Sequence, residues 1–318
     1  MKRGLIEWNR AALPESAFES RLARVRDVLT KRGLPALLVY SDVWRSNQGR
    51  FLTNFMPYWN RSLILIPVDQ APVLLCGLSP RVYPWIRSVT VFEEVRPANK
   101  LIAAVTQLCT EREWTKLGVL DLVQLPGEVH GPLSRTDLAL EDVPAHEVIT
   151  ADEPELAMRR RAAKLAREVL ATEMPTGAGL SDYAFTGHLE RALRMAGAED
   201  LVIHVSNGST APRPASGVML NGEYSVSLAL EYCGHWVRVT RAHASKDSRT
   251  VLRQRFEAAL VNPSGASVED LSGSYPFESG AGRSMPPAFT LQIEAKAGGR
   301  RLFYGDTCRT SGKGLELL

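Results

Sequence analysis

Val226–Ala244 reads VSLALEYCGHWVRVTRAHA, two strand-like runs that fold back on each other as a hairpin. Ser227, Ala229 and Glu231 fall at every second position and therefore share one face of the first strand, which aims Glu231 toward Arg238 on the returning strand. Arg238 is a permanent cation among strand residues, and its surroundings decide how the second half of the chain is read.

On the C-terminal side, AFTLQIEAK and RLFYGDTCRTS read as further strands. On the N-terminal side lies the strand DLVIHVSNGS, preceded by the helix LSDYAFTGHLERALRMAG, with Ser181 as its N-cap and Gly197 as its stop. Before that, ITADEPELAMRRRAAKLAREVLATEM is a long helix whose Asp152, Glu153 and Glu155 oppose the positive end of the helix dipole. Arg159, Arg160 and Arg161 fan around this helix instead of converging, which predicts a solvated face paired with the upstream acids.

The first half alternates helix and strand. ESAFESRLARVRDVLTKRGL places Phe18, Leu22, Val25 and Leu29 on one helical face, with Gly33 as the stop. PALLVYS is a strand, DVWRSNQGR a polar loop, and FLTNFMPYWNRSLILIPVDQAPVLLC a series of strands separated by turn residues. VTVFEEV and KLGVLDL are two more strands, with the helix LIAAVTQLCTER between them. This alternation predicts an α/β domain over residues 1–150 and a second domain over 151–318.

Composition excludes several functions. With 318 residues, 45% of them hydrophobic, the chain can bury a core in each of two domains. A net charge of +3 is too small for the dense basic face that nucleic acid requires. Cys76, Cys109, Cys233 and Cys308 are scattered with no CxxC pair, which argues against a zinc ribbon or a disulfide scaffold. No run approaches the roughly 20 apolar residues of a membrane span, and MKRGLIEWNRAALP has no secretory apolar core, so a cytoplasmic protein is expected.

The order of these elements, with LVIHVSNGS, VSLALEYCGHWVRVTR, NPSGASVEDL, AFTLQIE and GDTCRTS in succession, resembles the creatinase, prolidase and aminopeptidase P family over nearly the whole chain. The resemblance implies an α/β N-terminal domain and an α+β pita-bread C-terminal domain, a curved, mostly antiparallel sheet backed by helices. Here that domain is expected to be shortened, because the interval before AFTLQ carries only LSGSYPFESGAGRSMPP. It also implies a homodimer, or a heterodimer with a related subunit, in which the N-terminal segments around Arg45, Asn47, Arg50, Trp59 and Arg61 cap a site.

Metallopeptidases of that family hold two divalent ions through two Asp, one His and two Glu, because such cations need several anionic oxygens to activate a bridging water. Anchored on Thr240 and Arg241, the two Asp positions fall on Ser227 and Arg238. The two Glu positions fall on Gln292 and Gly305, and no histidine occurs after His243. The resemblance therefore predicts a member without metal. Creatinase works without metal through a loop histidine, but here the loop NGSTAPRPASG offers Arg213 in its place.

Other chemical motifs are absent from the sequence: HExxH, GxxxxGK[ST] and GxSxG do not occur, and no cofactor is expected. His204 reads as a core histidine, and His235 as an exposed ring at the hairpin turn and a candidate binding residue. Two readings stay open. In the first the chain is a pseudoenzyme, a binding or auxiliary subunit in which a salt bridge plugs the old metal site. In the second it is a metal-free enzyme on a small anionic or amide-bearing metabolite, with Arg238 as electrostatic stabiliser and Glu231 or Glu294 as general base. The ligand of that enzyme would be held by Arg213, Arg241, Gln292, His235 and Ser227.

Overall fold

A computed structural model describes residues 7–57, 60–269, 274–276, 288–297, 299–311 and 314–318. The chain divides into two compact units, Met1–Pro154 and Glu155–Leu318.

In the first unit, α1 (Glu15–Arg32) buries Phe18, Leu22, Val25 and Leu29, the face its spacing predicts. Gly33 ends it in the left-handed region at φ 64°, with its N–H on the Leu29 and Thr30 carbonyls. Strands β1 (Ala36–Ser41), β2 (Ser62–Pro67), β3 (Val73–Cys76), β4 (Glu94–Pro97), β5 (Lys116–Leu120) and β6 (Ala139–Val143) form one sheet in the order β4-β3-β2-β1-β5-β6. Pairs β1/β2 and β2/β3 are antiparallel, and the others are parallel. Helices α2 (Asn47–Thr53), α3 (Tyr83–Val89), α4 (Leu101–Glu111), α5 (Gly127–Leu133) and α6 (Ala145–Val148) complete it. Both sheet faces are covered: Leu37, Val39 and Ile64 pack with Val25 and Leu29, while Leu38, Leu65 and Leu75 pack with Val105 and Leu108.

The segment NQGRFLT, expected as loop and strand, is helix α2. The side chain of Ser41 leaves no room for a Cβ at Gly49, so only glycine allows α2 this close to β1, and Asn54 supplies a left-handed stop at φ 60°. Strand β6, unforeseen from the sequence, is an edge strand with an exposed, charged face.

In the second unit, α7 (Glu153–Glu173) and α8 (Asp182–Met195) precede strands β7 (Asp200–Ser206), β8 (Tyr224–Tyr232) and β9 (His235–His243). Helix α9 (Lys246–Val261) follows, then β10 (Ser267–Glu269), β11 (Ser274–Pro276), β12 (Phe289–Ala297), β13 (Arg300–Ser311) and β14 (Gly314–Leu317). The sheet runs β11-β10-β12-β13-β9-β8-β7, with β14 also on β13, and each pair is antiparallel. Helix α9, not singled out in the sequence, starts at the N-cap Ser245 and buries Leu252, Phe256 and Ala259 at helical spacing.

The pleat sorts this sheet into two chemistries. On one face Val226, Leu228, Val237 and Val239 pack with Ala163, Leu170, Phe185 and Leu189 of α7 and α8. On the same face Leu291, Ile293 and Leu302 pack with Leu252 and Phe256 of α9. The alternate positions point the other way and carry Ser225, Ser227, Glu231, Arg238, Thr240, Thr290, Gln292 and Thr307, all buried.

Candidate functional site

Cross-strand register lines up one polar row across the sheet. His204 of β7 pairs with Ser227, Ser227 with Thr240, Thr240 with Gly305, Gly305 with Gln292, and Gln292 with Ser267. Arg238 sits two pairs along, opposite Ala229, the next pair on the same face.

These side chains bond to one another. Arg238 Nη1 donates to Ser227 Oγ at 3.3 Å, Ser227 Oγ and Thr240 Oγ1 are 3.0 Å apart, and Thr240 Oγ1 donates to Gln292 Oε1 at 2.9 Å. A threonine hydroxyl has one hydrogen, so with Thr240 donating to Gln292 the Ser227 hydroxyl donates to Thr240. The bonds then run in one direction, from the cation through two hydroxyls to the amide oxygen. Thr307 secures the arginine backbone: its Oγ1 accepts from Arg238 N at 2.9 Å and donates to Arg238 O at 2.9 Å.

Gly305 closes the row sterically. A Cβ built there would lie 2.8 Å from the Leu291 carbonyl oxygen and 3.2 Å from Gln292 Cα, backbone atoms that cannot step aside. His204, half-buried at the end of the row, has its pKa lowered by burial and then by the Arg238 charge.

The donor set does not fit a dinuclear metal site. Ser227, Thr240 and Gln292 offer neutral oxygens already engaged with one another, and a guanidinium lies within hydrogen-bond distance of the first. Among the described residues no group of three or more His, Cys, Asp or Glu is placed to hold an ion.

The remaining candidates disperse. Glu231 is fully buried on the face of Ser227 and Arg238, but its cross-strand partner is Trp236, so it stands diagonal to the arginine. Arg241 was grouped with Arg238, yet residues three apart on a strand face opposite ways. It lies on the helix-covered side, bonded to Asp306 Oδ2 at 2.6 Å and to Gly305 O at 2.7 Å. Asp306 also accepts from Arg167 at 2.9 and 2.8 Å.

Glu294 shares the face of Gln292, as expected, but at its exposed end. There Arg301 binds both carboxylate oxygens at 2.7 Å and lowers the pKa, which makes Glu294 a poor base. Arg213 exchanges backbone hydrogen bonds with Val205 while its exposed side chain reaches Ser216 Oγ at 3.4 Å, away from the row.

His235, expected to be exposed, is fully buried: Nε2 is 3.1 Å from Glu155 Oε2 and Nδ1 is 2.7 Å from Cys233 O. It clasps the hairpin to α7, where Glu155 also meets Arg159 at 3.3 Å, the pairing with upstream acids that the helix sequence predicts. In the first unit Arg45 is bonded to Asp42 and Arg61 to Glu128, while Trp59 and residues 277–287 lie outside the described residues.

His204, expected as a core histidine, is half-buried at the end of the row, and Thr307 was not among the expected site residues. Apolar residues fall on both faces of β7 and β13, so the sequence carries no alternation that marks them, and only the register places His204 beside Ser227 and Thr307 against the Arg238 backbone.

No family model and no curated protein matches the sequence. Solved structures do match. An X-Pro aminopeptidase from Thermotoga maritima superposes with TM-score 0.71 at 14% identity, covering 93% of this chain and 96% of that one. An Xaa-Pro dipeptidase from Bacillus anthracis gives 0.71 at 16% identity over 94% and 97%. A prolidase from Pyrococcus horikoshii gives 0.67 at 13% over 94% and 97%. The chain has the pita-bread fold. In the pita-bread sheet of this chain, three of the positions that the resemblance equates with metal ligands, Ser227, Gln292 and Gly305, fall on a single row, and Arg238 adjoins it.

Proposed function

We propose that this pita-bread protein is metal-independent, is not a peptidase, and serves as a binding or auxiliary subunit paired with a second copy or a related chain. The observation that carries this reading is the closed chain Arg238–Ser227–Thr240–Gln292, in which the polar atoms at the former ligand positions bond to each other, with Gly305 sealed by backbone. Buried polar groups cost free energy unless bonded, and the oxygens of Ser227, Thr240 and Gln292 are engaged with one another beside a guanidinium that repels a cation. The enzymatic alternative loses one base to Arg301 and one ligand-binding arginine to Asp306.

The test is elemental analysis of the dialysed protein after incubation with manganese, cobalt and zinc, together with assay on Xaa-Pro dipeptides. No retained metal and no cleavage are expected. Retained stoichiometric metal with dipeptide hydrolysis would sink the reading.

A further inference from the structure

On the helix-covered side of the same sheet, a cavity of about 390 Å³ is lined by Arg241, Lys246, Arg249, Thr250, Arg253 and Tyr304, among others. Its floor is rigid. The Arg241 guanidinium lies 4.4 Å over the Tyr304 ring and is bonded to Thr240 O, Gly305 O and Asp306. Its wall is one face of α9, because Lys246, Arg249 and Arg253 follow at i, i+3 and i+7.

Among the described residues, four cations line this cavity and no carboxylate does. Asp306, beneath the floor, is shared between Arg241 and Arg167, so that trio keeps a net positive charge. Arg253 pairs loosely with Glu257 at 3.8 Å. Lys246 and Arg249 have no ion pair among the described residues. Like charges held around one concavity repel each other, and a multiply charged anion removes that repulsion while gaining charge-assisted hydrogen bonds from guanidinium forks. A single phosphate would leave most of this volume and half of these cations unused.

We propose that this cavity is a binding site for a polyphosphate group, such as inorganic pyrophosphate or the phosphate chain of a nucleoside polyphosphate. It is independent of the polar row, which lies on the opposite face of the sheet, and stands or falls separately from the proposed function.

The experiment is calorimetric titration of the full chain with inorganic pyrophosphate, and separately with ATP, at low ionic strength. Two double variants are compared, Lys246→Ala/Arg249→Ala in the cavity and Arg87→Ala/Arg191→Ala on exposed helix positions elsewhere. The wild-type chain should bind one pyrophosphate, the cavity variant should bind it about tenfold or more weakly, and the control should match wild type. ATP binding more tightly than pyrophosphate supports the site with a nucleotide as ligand, and equal affinity supports it with the phosphates alone. No binding by wild type, or equal weakening in both double variants, overturns it.

Discussion

Gly305 and Leu291 approach so closely that a Cβ on Gly305 would stand 2.8 Å from the Leu291 carbonyl oxygen. A side chain here requires strands β12 and β13 to shift, and overpacking of this kind costs about 1–3 kcal/mol. Gly305→Ala should lower the urea midpoint accordingly. A midpoint indistinguishable from wild type would show that the strands are free to separate.

Arg238 adds to the effect of burial on the titration of His204. Burial and this guanidinium hold the imidazole below its ordinary range in the folded chain. The unfolded state therefore takes up the proton first, and the associated stability is present above about pH 6.5, the unfolded value. It is lost as pH falls from there toward the lower folded value. In Arg238→Met the His204 resonance should titrate at higher pH by NMR, leaving only the effect of burial. An unmoved midpoint would mean that the two residues do not sense each other.

Both ring nitrogens of His235 lie within hydrogen-bond distance of oxygens, those of the Cys233 carbonyl and the Glu155 carboxylate. His235→Phe should destabilise the second unit by about 1–3 kcal/mol, since it removes a hydrogen-bond partner of the buried Glu155 carboxylate. The double variant His235→Phe/Glu155→Leu should recover part of that loss. Additive losses in the denaturation cycle would contradict the coupling.

Asp306 holds two guanidinium groups, those of Arg167 and Arg241, with only 2% of its side chain exposed. Asp306→Asn keeps the shape but removes the charge both arginines face, and a loss of about 3–5 kcal/mol in chemical denaturation is expected. A loss under about 1 kcal/mol, the range of exposed pairs, would place these arginines in solvent instead.

Much of the fold was legible because burial imposes period. The face of α1 and its Gly33 stop, the N-cap of α8 at Ser181 and the alternation of β8 and β9 all appear in the sequence as spacing. What escaped depended on partners far along the chain. Helix α2 exists where Gly49 meets Ser41, and His235 is buried because Glu155 reaches it from α7. The site was readable as a set of positions, since Ser227, Arg238 and Gln292 do converge. Arg241 and Glu294 do not join them, because Arg241 faces the helix-covered side of its strand and Glu294 lies at the exposed end of the row's face, positions that charge alone does not specify.

The bend joining β8 to β9 consists of Cys233 and Gly234, both at positive φ, 48° and 74°. One residue inserted there would slide the returning strand by a single step against its neighbour, sending Val237 and Val239 to the hydroxyl side and burying the arginine under α7 and α8. Which side chains each face of this sheet presents is thus encoded in the length of a dipeptide outside the polar row.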